Sequence, residues 1–106
     1  MKKKFFRSNN VIFRGPEASA EGTTITVTGT VIWTKAYSSV GVGYRVVGAS
    51  NWTHKASSSK EVNTSIANAT AGATYEVCLY LKRANVYDYS SAVEVTVPDA
   101  QAEPEA

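Results

Sequence analysis

Cysteine, histidine and methionine each occur once in these 106 residues. One cysteine excludes an internal disulfide, so the paired-thiol pattern of oxidising compartments is missing. The single histidine, His54, lies far along the chain from Cys78. Neither a metal-ligating cluster nor a His-based acid–base pair is therefore expected. His54 reads as a solvent-facing residue on a short edge strand, and Cys78, lacking a positive neighbourhood, as structural. Long apolar runs are also missing, and none nears the ~20 residues of a membrane span. The opening "MKKKFFRSNN" has the basic start of a signal peptide, but only Phe5 and Phe6 precede Arg7, Ser8, Asn9 and Asn10, so there is no apolar h-region. If Met1 is the native start, the chain is expected to stay in the cytosol or to leave it by another route.

The acids Glu17, Glu21, Glu61, Glu76, Asp88 and Glu94 are scattered and form no paired-carboxylate motif. The glycines of "GVGYR" lie inside a strand pattern with no helix to follow. They signal close backbone approach or a bulge rather than a phosphate loop. Three Asn-x-Ser/Thr patterns, at Asn51, Asn63 and Asn68, reflect the Ser/Thr/Asn richness of a β protein when no secretory signal accompanies them. The expectation is no enzyme, no catalytic residue, no metal and no cofactor.

What is present is alternation. "TTITVTGTVIW" sets Ile25, Val27, Val31 and Trp33 on one face, with Thr24, Thr26, Thr28 and Thr30 on the other. "VGVGYRVV" repeats the pattern with Val40, Val42, Tyr44 and Val46. "YEVCLYLK" places Tyr75, Val77, Leu79 and Leu81 opposite Glu76, Cys78, Tyr80 and Lys82. "AVEVTV" turns Val93, Val95 and Val97 inward before Pro98 stops it, "NWTHK" and "EVNTSIANA" are weaker strands, and "NNVIFR", ended by Gly15-Pro16, supplies the first. No stretch carries a sustained helical period. The chain reads as all-β, a seven-stranded antiparallel Greek-key sandwich over residues 9–98, with a basic-aromatic arm at 1–8 and an acidic, disordered tail at 99–106. Trp33, Tyr44, Val77, Leu79 and Val95 are its expected core.

A Tyr that opens a late strand after a tight turn can bury its ring and return its hydroxyl to upstream backbone. Trp33, Tyr44, Trp52 and "ATAGATY" (Ala69 to Tyr75) follow in the order and spacing of a Trp, a Tyr, a second Trp and a Leu-x-Pro-Gly-Thr-x-Tyr turn. From roughly Gly15 to Asp99 the chain thus resembles the fibronectin type III family. Gly72 and Tyr75 match the turn, while Ala69, Ala71 and Ala73 stand where Leu, Pro and Thr usually sit. The resemblance implies an immunoglobulin-like sandwich and is almost silent on activity, since this scaffold serves many roles.

Strand parity brings the connections "TKAYSS", "KASSSK" and "RANVYDYSS" to one end, together with the N-terminal arm. Partner-binding candidates are therefore Lys2, Lys3, Lys4, Phe5, Phe6 and Arg7 of the arm and Tyr37, Tyr87 and Tyr89 of the loops. The arm is expected to extend outward from that end. The leading expectation is a structural protein docking on a larger assembly or on neighbouring copies. By analogy this is an accessory capsid or tail protein of a bacteriophage virion, assembled in the host cytoplasm. The alternative is a spacer or carbohydrate-binding domain of a larger secreted or cell-surface bacterial protein, with an exposed Trp52 and the loop tyrosines stacking on sugar rings. Nucleic acid ranks last because the charge of the sandwich is nearly balanced, and no membrane partner is expected.

Overall fold

The computed structural model describes residues 5–8 and 11–99. Lys2, Lys3 and Lys4 of the expected arm, and the tail from residue 100 onward, lie outside the described residues. Among the described residues nine strands run in chain order: β1 (Phe5–Ser8), β2 (Val11–Glu21), β3 (Thr24–Ile32), β4 (Ser39–Val46), β5 (Thr53–Ala56), β6 (Glu61–Ile66), β7 (Thr74–Arg83), β8 (Val86–Tyr89) and β9 (Val93–Thr96). No helix occurs among the described residues. The strands form two antiparallel sheets, β1-β2-β3-β6 and β5-β4-β7-β8, with β9 also pairing to β7.

The count exceeds the expected seven for two reasons. Phe5–Ser8 fold back on Val11–Arg14 as an extra hairpin strand, with Phe5 opposite Arg14 and Ser8 opposite Val11. The arm therefore turns Phe5, Phe6 and Arg7 back along the sheet instead of carrying them outward. The last strand is also split. β8 pairs with Tyr80–Arg83 and β9 with Thr74–Val77 along the same strand, β7. At the break Ser90 donates its N–H to the Leu79 carbonyl (3.0 Å), while its Oγ accepts the Leu79 N–H (2.9 Å). A side-chain oxygen thus stands in for the backbone acceptor where the strand steps aside.

Gly15-Pro16 does not end the first sandwich strand. β2 continues to Glu21 through a register shift between Arg14 and Glu17. Proline has no N–H for the ladder, so the strand bulges there. Gly15, at φ 95°, takes a backbone conformation open to glycine and passes so close to β3 that a Cβ would lie 3.3 Å from the Gly29 Cα.

One core fills the space between the sheets. Val11, Phe13, Ile25, Val27 and Val31 of one sheet meet Val42, Val77, Leu79, Leu81 and Val97 from the other side. Trp33 and Val95 are buried with them, and Tyr44 packs half-buried at the margin. The alternation of β3 and β7 thus becomes a continuous apolar layer, each buried Val or Leu contributing about 1.5–3 kcal/mol. The Tyr75 ring is buried, and its hydroxyl accepts the Thr70 N–H at 2.9 Å. That bond closes the turn before β7, which passes through Asn68 (φ 61°) and Gly72 (φ 81°).

Candidate functional site

Two neighbouring surfaces concentrate aromatic and charged side chains: the outer face of the five-stranded sheet and the loop end beyond it. The outer face is built on two missing side chains. Gly43 is registered between His54 of β5 and Cys78 of β7, and Gly41 between Ala56 and Tyr80. A Cβ on Gly43 would lie 3.1 Å from the Cys78 Sγ and 3.6 Å from the Trp52 ring; one on Gly41 would meet the Lys55 carbonyl at 2.2 Å. These are the close approaches expected of "GVGYR". They leave a trough over β4 that aromatic side chains cross from both sides.

From the β5 side come Trp52 and His54, and from β8 come Tyr87 and Tyr89. The His54 ring stacks on Tyr87 (4.4 Å between centroids, 21°) and meets Tyr80 edge-on at 4.9 Å. Tyr89 stacks with Tyr87 (5.8 Å, 11°) and with Trp52 (6.0 Å, 25°). The His54 Nε2 and the Tyr89 hydroxyl are hydrogen-bonded at 2.9 Å, and Ser39 Oγ and the Tyr80 hydroxyl at 2.8 Å. Cations cover rings at both margins: the Arg45 guanidinium lies 4.0 Å from the Trp52 centroid, and the Lys82 ammonium 5.4 Å from that of Tyr87. Arg45 is itself held by Glu76, at 2.8 Å.

His54 is thus a packed member of this layer rather than the solvent-facing residue expected. Burial, and then the charge of Lys82, lower its pKa below the usual 6.5. Beneath the layer Cys78 is fully buried, and burial pushes its thiol up to about 12, which removes thiolate reactivity. Burial, with Cys78 and the neighbouring tyrosines, also raises Tyr89. Trp52 is half-buried rather than exposed, and much of its face is taken by Arg45.

The loop end follows from the hairpin geometry. β7 and β8 are joined by a two-residue turn with Ala84 at φ 52°, which makes Tyr87 and Tyr89 strand residues rather than loop residues. The connection after β3 folds onto itself as the Trp33 Nε1–H donates to the Ala36 carbonyl (3.2 Å). Lys35 lies 5.8 Å and Arg83 4.7 Å from the Trp33 ring. Lys60, from the connection before β6, donates to the Trp33 carbonyl (2.5 Å) and sits 5.6 Å from the Tyr37 ring. Arg83 also holds the buried carboxylate of Asp88 at 2.8 Å.

The three connections do converge, as parity required. Yet the tyrosines divide: Tyr37 stands beside Lys60, whereas Tyr87 and Tyr89 belong to the sheet-face layer. Tyr37 (39%) and Tyr87 (38%) are the two tyrosines left substantially exposed. Sequence reasoning missed Lys35, Lys60, Lys82 and Arg83. Their one signal was that each flanks a connection predicted to share that end. No family model, no curated protein and no solved structure matches the chain.

Proposed function

We propose that the chain is a non-catalytic interaction module of the fibronectin type III kind, docking on a larger protein assembly through its loop end. The fold reading rests on the strand order. β2-β3-β6 faces β5-β4-β7, with β8 and β9 sharing the last edge, and this two-sheet arrangement, with β1 set aside, supports the reading. The bond from the Thr70 N–H to the Tyr75 hydroxyl adds the corner such sandwiches carry.

One observation carries the docking reading: Lys35, Lys60 and Arg83 gather around Trp33 and the exposed Tyr37 at the loop end, with Lys82 and the exposed Tyr87 at the adjoining margin of the sheet face. Aromatic area beside cations is the composition of interface anchors. A protein surface rich in carboxylates is the partner it suits. The setting this reading names is an accessory position on a phage capsid or tail.

The test is incorporation. Particles purified from a host that expresses the tagged chain should carry it. The triple variant Tyr37→Ala/Lys60→Glu/Tyr87→Ala should be lost from them while still folding. A wild-type chain absent from particles would end the assembly reading. A triple variant incorporated at wild-type occupancy would move the contact elsewhere on the domain.

A further inference from the structure

We propose that the basic loop end receives the acidic C-terminal segment of a second copy of this chain, residues 100–106, in a head-to-tail contact. The inference rests on the docking role proposed for that end and names a partner for it.

Three observations converge. The first is charge. Lys35, Lys60 and Arg83 surround Trp33 and Tyr37. Of the nearby acids, Asp88 is buried against Arg83, while Glu61, which accepts the Thr30 hydroxyl at 3.3 Å, stands beside Lys60 in the lining of the depression at this end. The segment "AQAEPEA" carries Glu103 and Glu105 and no cation.

The second is shape. An open depression of about 420 Å³ is lined by Val31, Ile32, Trp33, Ser59 and Lys60, among others. A second, of about 190 Å³, shares Ile32, Trp33 and Thr34 with it and adds Ile12 and Lys35. Together they form a shallow trough with an apolar floor and a lysine on each part of the rim. Ile12 and Ile32 are register partners across the sheet, and Arg7 is the register partner of Ile12. An extended segment alternating Ala102, Pro104 and Ala106 with Glu103 and Glu105 matches that trough: small apolar groups face the floor and carboxylates face the rim. Pro104 favours the extended backbone such docking needs.

The third is reach. The chain leaves the last strand at the opposite end, where the Gly72 N–H bonds the Val97 and Pro98 carbonyls. β7 alone, running Thr74–Arg83 between the two ends, spans ~30 Å at the usual rise of a strand. The seven residues after Asp99 extend at most ~25 Å. A stretch of seven residues held at Asp99 is shorter than that span, so the loop end proposed to receive it is that of a neighbouring copy. Such a contact is heterologous and repeats from copy to copy.

The experiment uses the full chain and an isotope-labelled variant truncated after Asp99. A synthetic peptide of residues 98–106, "PDAQAEPEA", is added to the truncated variant at low salt. Saturable NMR shifts are expected at the Trp33 indole N–H and at the Lys35 and Lys60 amides. They should shrink several-fold in about 1 M salt, where the screening length falls to about 3 Å, and vanish in Lys35→Glu/Lys60→Glu. The full chain should sediment as concentration-dependent oligomers that truncation removes. No saturable shift, equal shifts from a control peptide with Gln at both Glu positions, or shifts confined to another face would overturn the proposal. The double charge variant losing particle incorporation while the peptide fails to bind would overturn the tail contact alone and leave the docking role standing.

Discussion

The two faces of β7 differ in how they are covered. Inward, Tyr75, Val77, Leu79 and Leu81 pack against the opposite sheet. Outward no further sheet stands among the described residues, yet Cys78 and Tyr80 are buried almost as fully. Their cover is a single layer of side chains, Trp52 and His54 from one flank and Tyr87 and Tyr89 from the other, meeting over Gly41 and Gly43. The inner face is apolar. The outer face is held by ring stacking, two phenol hydrogen bonds and cations at its margins. Burial thus arises twice, once from sheet-on-sheet packing and once from aromatic arms bridging a glycine trough.

The sharpest test of this contrast is Leu79→Ala, which deletes a fully buried side chain between the sheets. It should cost about 2–5 kcal/mol in denaturant unfolding. A loss below that of an ordinary surface substitution would mean that the sheets are not packed as described.

Trp52→Ala strikes the outer cover instead. Because Trp52 is half-buried, its loss should cost about 1–3 kcal/mol, less than a fully buried Trp. It should also uncover Cys78. The native thiol, at about 12, should resist maleimide at neutral pH, whereas the Trp52→Ala protein should label measurably faster while folded. Equal labelling rates would show that the aromatic layer does not seal this face.

Tyr75→Phe probes the edge of the inner face. It removes the partner of the Thr70 N–H and should cost about 1 kcal/mol. Unchanged stability would mean that the Thr70 N–H finds an equally good partner in water.

The smallest expected effect is that of pH on the outer layer. Folding lowers the His54 pKa below 6.5, so the unfolded chain binds that proton more tightly. The contribution of neutral His54 is complete above about pH 6.5 and declines as pH falls through that value toward the lower folded one. The stability difference between wild type and His54→Gln should therefore narrow from about pH 7.5 to about pH 5. A difference that widened on acidification would mean that the tyrosine rings favour imidazolium.

Much of the inner face was legible because alternation is a property of one strand: side chains two apart share a face wherever that strand lies. Ile25, Val27, Val31 and Trp33, and likewise Val77, Leu79 and Leu81, could be assigned inward from their own segments, and all are buried. The Tyr75 corner was legible for a related reason, since its ring and its hydrogen-bond partner lie five residues apart. The arm was read less well. Its alternation gives no sign that Phe5–Ser8 would double back on Val11–Arg14, because pairing depends on a turn and a register that the strand pattern does not encode.

By itself, the sequence determined most of the sandwich strands, the inward residues of β3 and β7 and the end at which the connections meet, but not the β1 hairpin, the split last strand or the exposure of Val46. Only the tertiary structure decided the outer layer and the cation cluster. Gly41, Gly43, Trp52, His54, Tyr87 and Tyr89 come from three strands and the approach to one of them, and nothing local to any segment brings them together. Register across β5, β4, β7 and β8 does so, because it alone sets which side chains share a row. In the same way, Lys35, Lys60 and Arg83 are remote in sequence and become neighbours where separate strands end at one height. Period is a local property of a chain, and adjacency across a sheet is not.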